Sequence, residues 1–279
     1  MAHIQKPNDF CGQAENVSQL LDCLAKWQTQ HGVSERGFQS RVWFRGHADE
    51  KYQLKPGVYR NAFTARTEKH YGADKEEKRL NLEREMLSNF RTAGAYFVEA
   101  NSIVEVYFMA QHYGMPTRLL DWTTNPLAGL FFAASGDEKE MTLDGEVIIM
   151  DAVRNLPKNP PSPQPRRYPS DVSTMRYPYV TDALGDSFWH EPKEKNRDPL
   201  ILPVRPDNLP GRIGQQSSCF TLHMHGSKPV TNSTLERIKV PAKAKRTILE
   251  ELHRLNINQF TIFNDLDNLS REIRRTWGV

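Results

Sequence analysis

Side chains that can do chemistry crowd into one stretch of this chain, Gln111 to Pro126. His112, Tyr113, Arg118, Asp121, Trp122, Asn125, Thr117, Thr123 and Thr124 all fall there, and an apolar run from Leu127 to Ala134 follows directly. A core segment has no use for such a mixture. A pocket built on a core element does, because buried polar groups persist only when they have partners. A second group lies upstream in Trp43-Phe44-Arg45-Gly46-His47, an arginine in an aromatic, strand-like setting. A guanidinium is a planar, permanently charged fork that suits phosphate oxygens. Arg45 therefore either grips a phosphate or ties two elements together through an acid such as Asp121.

The neighbouring residues divide in the same way. Arg118 and Asp121 stand three apart, close enough to pair or to face a common cavity. Thr123, Thr124 and Asn125 precede a helix; capping accounts for one of them, and anion binding at a helix start accounts for more. His112 and Tyr113 close a helix, where His112 suits the C-terminal dipole and Tyr113 either packs into the core or stacks on a ring. His47, beside Gly46, reads as exposed and facing a ligand. His223 and His225 would share a strand face, but no third ligand lies nearby, so no metal is expected. Glu250 and Glu251 with Lys243 and Lys245 read as a solvated helix face. Arg271, Arg274 and Arg275 complement the dipole of the last helix.

The elements that position these residues follow from periodicity. Val17, Leu20, Leu21, Leu24 and Trp27 predict a helix over 17–31 that Gly32 stops. Residues 41–45 predict a strand ending at Gly46. A long helix is expected over 75–100, with Leu82, Met86, Phe90, Ala93 and Phe97 inward and Glu83, Arg84 and Glu85 outside. A second is expected over 103–113, closed by Gly114 and Pro116. Residues 117–122 are extended or loop. Asn125-Pro126 then opens a buried helix, the asparagine as cap and the proline in the first turn.

Val147-Ile148-Ile149-Met150 centres a buried strand over 145–151. Beyond it, residues 157–210 hold twelve of the eighteen prolines, so this stretch is neither continuous helix nor sheet centre. It contains Arg166-Arg167-Tyr168 and an aromatic group, Phe188-Trp189-His190, whose Trp and Phe suit an insertion wrapped over the domain better than a linker. Strands follow at 200–204, on an edge if Pro203 belongs to it, and at 218–223 and 235–240. The chain closes with helices over 243–255 and 265–277, the last with Leu266, Leu269, Ile273 and Trp277 inward.

Helices lead and strands gather later, which makes the class α+β, a single domain with helices packed on a mixed or antiparallel sheet. The organisation expected is an N-terminal helical segment over 1–39 and a domain over 40–279, with the proline-rich insertion at about 152–210.

Composition excludes more than it selects. The 279 residues are 38% hydrophobic and 25% charged, with a net charge of +3, ordinary for a globular chain and too mild to argue for nucleic acid. Cys11, Cys23 and Cys219 are too few and too scattered for a disulfide framework or a zinc site, and each has an apolar neighbour, so buried thiols are expected. No run is long enough to span a bilayer, and Met1 to Asn8 lacks a signal pattern, so a cytoplasmic location without membrane partners is expected. Neither a Gly-x-Ser-x-Gly elbow nor a phosphate-binding Gly-x-x-x-x-Gly-Lys loop occurs.

Phe44-Arg45-Gly46 followed by the Gln111–Ala134 block resembles the FRG domain, a family named for its Phe-Arg-Gly motif. Arg212-Ile213 with Gln215/Gln216 and Phe220-Thr221 is similar to the family's Arg-x-x-x-Gln…Phe segment. Ile257-Asn258 with Ile262 to Asp267 is similar to its closing Leu-Phe-Pro-Asp-Leu-Asp element, Asn264 standing where proline is usual. The resemblance spans about residues 40–270.

The pattern is in turn similar to ADP-ribosyltransferase-like folds, which implies Arg45 at their first-strand arginine or histidine and Asp121-Trp122-Thr123-Thr124 at their second motif. Gln215 or Gln216 falls where those folds carry a glutamate, and no Glu-x-Glu lies near Cys219. The resemblance implies an enzyme acting on NAD or a related nucleotide, transferring ADP-ribose to a protein or nucleic-acid acceptor or hydrolysing NAD. By analogy of fold alone it suggests a toxin or phage-defence effector.

In that reading Arg45 orients the diphosphate, and Thr123 and Asn125 bond ribose or phosphate. Tyr113 or Trp122 stacks a base, Asp121 supplies negative charge near an oxocarbenium-like centre, and Gln216 positions the ribose or acceptor. Arg118 and His47 join the binding wall. The missing glutamate sustains the alternative, a non-catalytic module that senses a nucleotide or binds a macromolecule.

Overall fold

Alternation along one strand sets the architecture. In β2 (Val42–His47), Val42, Phe44 and Gly46 point to one face of the sheet and Trp43, Arg45 and His47 to the other. The structure is a computed structural model describing residues 10–71, 76–95, 103–154, 201–204, 218–223 and 235–278. Seven strands form one mixed sheet among these residues. They are β1 (Phe10–Gln13), β2, β3 (Leu119–Thr123), β4 (Gly145–Asp151), β5 (Ile201–Val204), β6 (Ser218–His223) and β7 (Leu235–Val240), in the order β1-β7-β4-β2-β3-β6-β5. Every pairing is antiparallel except β1 with β7, which is parallel. The fold is a single α+β domain. β5 is an edge strand, which explains why it tolerates Pro203.

The first face is covered by α1 (Val17–Gln30), α6 (Pro126–Ala134) and α7 (Lys245–Arg254). Leu20, Leu24, Trp27, Leu130, Ile248 and Leu252 pack there against Phe44, Val147, Ile149 and Ile238. β1 and α1 thus belong to the same core as the rest of the chain. On the opposite face Trp43, Leu120, Trp122, Ile148, Met150 and Cys219 form a second cluster.

α6 approaches the sheet unusually closely, and two glycines allow it. A Cβ on Gly46 would lie 2.1 Å from the Gly129 carbonyl oxygen and 2.5 Å from the Ala133 nitrogen. One on Gly145 would lie 2.4 Å from the Ala133 carbonyl oxygen. The glycine that follows Arg45 is therefore a packing requirement of α6.

Short elements that sequence periodicity does not reveal complete the fold: β1, α2 (Glu35–Arg41), α3 (Asn61–Tyr71) and α8 (Gln259–Phe263). The long helix expected over 75–100 is α4 (Glu76–Ala93), followed by α5 (Ile103–His112). Glu83, expected outside, is fully buried: its carboxylate receives Arg118 Nε at 2.7 Å and the Arg118 backbone amide at 3.0 Å, and the Tyr107 hydroxyl donates to it. Hydrophobic periodicity placed Glu83 on the polar side of α4, but the buried guanidinium requires an acid there.

Lys245 departs from the solvated face in the same way. It is buried, and its Nζ donates to the carbonyls of Ala48 (2.6 Å) and Glu140 (2.7 Å). Glu251 accepts from the Val17 amide at 2.8 Å. Of the cysteines only Cys219 is buried; Cys11 is exposed on the edge strand.

The last helix, α9 (Leu266–Trp277), starts at Asp265, whose side chain caps Asn268 at 2.7 Å. Its apolar stripe was expected inward, yet Leu266 is 72% and Trp277 78% exposed. Apart from β5, the proline-rich stretch lies outside the described residues, including Arg166-Arg167-Tyr168 and Phe188-Trp189-His190. No helix among the described residues is long and apolar enough to cross a membrane.

Candidate functional site

β2 and β3 lie side by side but share only one paired position, Phe44 opposite Thr123. Beyond it the strands part, and a cavity of about 470 Å³ opens at the split. Arg45, Asp121, Thr123 and Asn125 line it, with Gln111 and His112 from the end of α5. Phe132 of α6 and Phe263 of α8 meet edge to face, ring centres 5.8 Å apart, along its apolar side.

Arg45 is fixed from behind. Its Nε donates to His47 Nε2 at 3.1 Å, and His47 Nδ1 lies 3.0 Å from Glu146 Oε1. Because Nε2 accepts, the imidazole proton sits on Nδ1 and is donated to Glu146, which makes His47 neutral. Burial pushes the His47 pKa down, against the bond to Glu146 that raises it; the charges of Arg45 and Arg237 lower it further. Arg237 in turn holds Glu146. His47 is 4% exposed and does not face a ligand as its place beside Gly46 suggested: it positions Arg45.

The forward end of Arg45 reaches β3. Its Nη1 donates to the Asp121 carbonyl at 2.6 Å and stands 3.8 Å from Asp121 Oδ2. Its Nη2 has no hydrogen bond among the described residues. Burial lowers the Arg45 pKa, Asp121 offsets this, and the charge of Arg60 adds to the lowering. The group remains a cation, as guanidinium does in proteins.

The Asp121 carboxylate is 55% exposed and receives Gln111 Nε2 on both oxygens, at 2.9 and 3.0 Å. Gln111 Oε1 is itself held by the Thr117 hydroxyl at 2.5 Å. Thr123 Oγ1 accepts from the Asn125 amide at 3.1 Å, and Asn125 Oδ1 caps α6 by accepting from the Leu127 amide at 2.9 Å. Capping consumes the acceptors and leaves the donors. The Thr123 hydroxyl proton, the Asn125 Nδ2 group and Arg45 Nη2 have no partner among the described residues. The cavity therefore presents donors and one carboxylate, a combination suited to an oxygen-rich, anionic ligand.

Residues 40–142 match the family model of the FRG domain. The chain contains an FRG domain. That match holds Arg45, Gln111, Asp121, Thr123 and Asn125, and it ends before β4, well short of the residue 270 that the sequence resemblance reached. The cavity walls from β6 and α8 lie beyond it. No curated protein and no solved structure matches the chain.

Several residues expected at the site stand elsewhere. Trp122 borders the cavity, but its indole is 3% exposed and packs on the opposite face, with its Nε1 donating to Thr221 at 3.0 Å, so its ring is not available for stacking. Tyr113 is 69% exposed, near Phe90, and neither packs in the core nor lines the cavity. Arg118 is fully buried on Glu83, so it neither pairs with Asp121 nor reaches the site. Gln216, with Arg212 and Gln215, lies outside the described residues, as does His225.

The residues that sequence reasoning missed are Gln111, which holds Asp121, and α8, which supplies Thr261, Ile262 and Phe263 to the wall. Gln111 opens the dense polar segment, and that was its one signal. α8 is a five-residue helix framed by a capping box at Asn258 and by Asn264. Asn264 has φ +48°, a left-handed conformation closed to the proline usual in the family.

Proposed function

We propose that the cleft between β2 and β3 binds a dinucleotide of the NAD type and breaks its N-glycosidic bond, passing ADP-ribose to water or to an acceptor. The observation that carries this reading is the set of unspent donors, Arg45 Nη2, the Thr123 hydroxyl and Asn125 Nδ2, gathered around the Asp121 carboxylate in one cavity.

The diphosphate meets the Arg45 guanidinium, oriented by His47. Thr123 and Asn125 donate to ribose or phosphate oxygens. The bond between ribose C1′ and the nicotinamide nitrogen breaks with its electron pair leaving on nicotinamide, and the positive charge that develops on the ribose is stabilised by Asp121. A water or acceptor oxygen then forms the new bond at C1′ and loses its proton to solvent. Gln216 is assigned the positioning of ribose or acceptor, from the resemblance alone.

A nicotinamide-release assay on the wild type and on Arg45→Ala, Asp121→Asn and Gln216→Ala tests the reading. Release that the first two substitutions abolish supports it. Release that survives both overturns it.

One observation favours a second reading, a nucleotide-binding module without turnover. Arg45 and Gln111 already engage the Asp121 carboxylate, which tempers the charge it offers to a cationic centre. Saturable NAD binding with no nicotinamide released, lost in Arg45→Ala, selects this reading.

A further inference from the structure

The cavity at the split is one arm of a larger cleft. Arg45, Gly46 and Phe132 border both the main cavity and a second hollow of about 540 Å³. Gln111 and Asp121 border both the main cavity and a third hollow of about 440 Å³. Arg60 lines the second and the third, so the two side limbs meet at its side chain.

Cations outnumber carboxylates along both limbs. Lys51, Lys55 and Arg60 line one limb, Arg60 and Arg66 the other, and none of these four cations forms an ion pair among the described residues. The carboxylates that line the limbs are already engaged. Glu140 accepts from the Tyr52 hydroxyl at 2.5 Å and the Asp137 amide at 2.9 Å, and Asp121 accepts from Gln111. Arg60 Nε donates to the Lys55 carbonyl at 3.2 Å, which anchors the arginine at the junction. Arg45 and Arg60 line the same hollow, so two guanidiniums face one space, and the charge of Arg60 adds to the lowering of the Arg45 pKa. Like charges held this way gain from an anion placed between them, and a guanidinium fork is matched by phosphate.

We infer that the junction at Arg60, flanked by Lys55 and Lys51, is a second phosphate subsite that takes a phosphate monoester or diester outside the nucleotide's own diphosphate. It rests on the nucleotide reading only for what fills the main cavity. Two sources offer that chemistry: the 2′-phosphate of a phosphorylated dinucleotide, and the backbone of a nucleic-acid acceptor strand.

The direct probe is tripolyphosphate, titrated calorimetrically into the full chain at low salt. Binding is expected in the wild type and about tenfold weaker in Arg60→Gln/Lys55→Gln. Arg60→Lys is expected to recover part of it, and near-UV circular dichroism shows that the variants fold. Two further titrations separate the sources. If the dinucleotide carries the phosphate, NADP binds the wild type more tightly than NAD, and the double variant loses that preference. If an acceptor carries it, a fluorescent oligothymidylate loses affinity in the double variant while NAD binding is unchanged.

Tripolyphosphate binding equal in the wild type and the folded double variant overturns the subsite, and so does indifference of both phosphate sources to the double substitution. Tripolyphosphate binding that depends on Arg60, in a protein that does not bind NAD, sustains the subsite and removes the nucleotide reading instead.

Discussion

β2 treats its two neighbours differently. Against β4 it is zipped from Val42 opposite Asp151 to His47 opposite Glu146. Against β3 it is joined only where Phe44 meets Thr123. The zipped seam is lined by Val147, Ile148, Ile149 and Met150, all buried. The open seam is filled by side chains instead: Arg45 reaches across to the Asp121 carbonyl that a partner strand's amide would otherwise serve. A ladder satisfies its own polar groups and leaves nothing over for a ligand. A parted ladder must be satisfied by side chains, and those side chains have atoms to spare.

The contrast predicts stability on one side of β2 and chemistry on the other, and substitutions separate the two. The largest stability effect is expected from Ile149→Ala in the zipped seam, a loss of about 2–5 kcal/mol for a large-to-small change in a packed core, read by urea unfolding. Gly46→Ala is expected to cost about 1–3 kcal/mol by forcing α6 off the sheet. Because Gly46 borders both seams, nicotinamide release should fall with it.

A pH series sharpens the comparison next. His223 lies on β6, on the far side of the open seam from β2. Burial, helped by the Arg45 charge, lowers its pKa from 6.5 to about 3. Between those values the unfolded chain binds the extra proton. The stability it contributes is complete above pH 6.5 and drains away as the pH falls, by up to about 1.4 kcal/mol per unit. Unfolding midpoints at stepped pH should fall accordingly, and His223→Gln should flatten the slope. The smallest stability effect is expected from Asp121→Asn, within about 0.5 kcal/mol because the carboxylate is exposed, whereas the proposed release of nicotinamide should be lost with it. Should Asp121→Asn destabilise the fold as much as Ile149→Ala, the open seam is a structural device and the comparison breaks.

Much of this was legible before folding. The strands at 145–151, 218–223 and 235–240 and the helix opened by Asn125-Pro126 appear where periodicity and capping put them. Those signals are local: a run of β-branched residues or a cap announces itself within a few positions. α2, α3 and α8 were not legible. α2 and α8 are short and offer no sustained apolar period, and α3 is mostly polar in sequence; tertiary contact holds them.

Sequence alone marked Arg45, Asp121 and a donor-rich helix start as candidates for one site, because residue types and caps can be read along the chain. Only the tertiary structure decided how they are deployed. It turned His47 inward to hold Arg45, buried Arg118 on Glu83, and recruited Gln111 to Asp121. The physical reason is that hydrogen-bond and ion-pair partners are chosen by distance in space. A buried cation will take whichever carboxylate the packing brings within about 3 Å, however far away it lies in the chain.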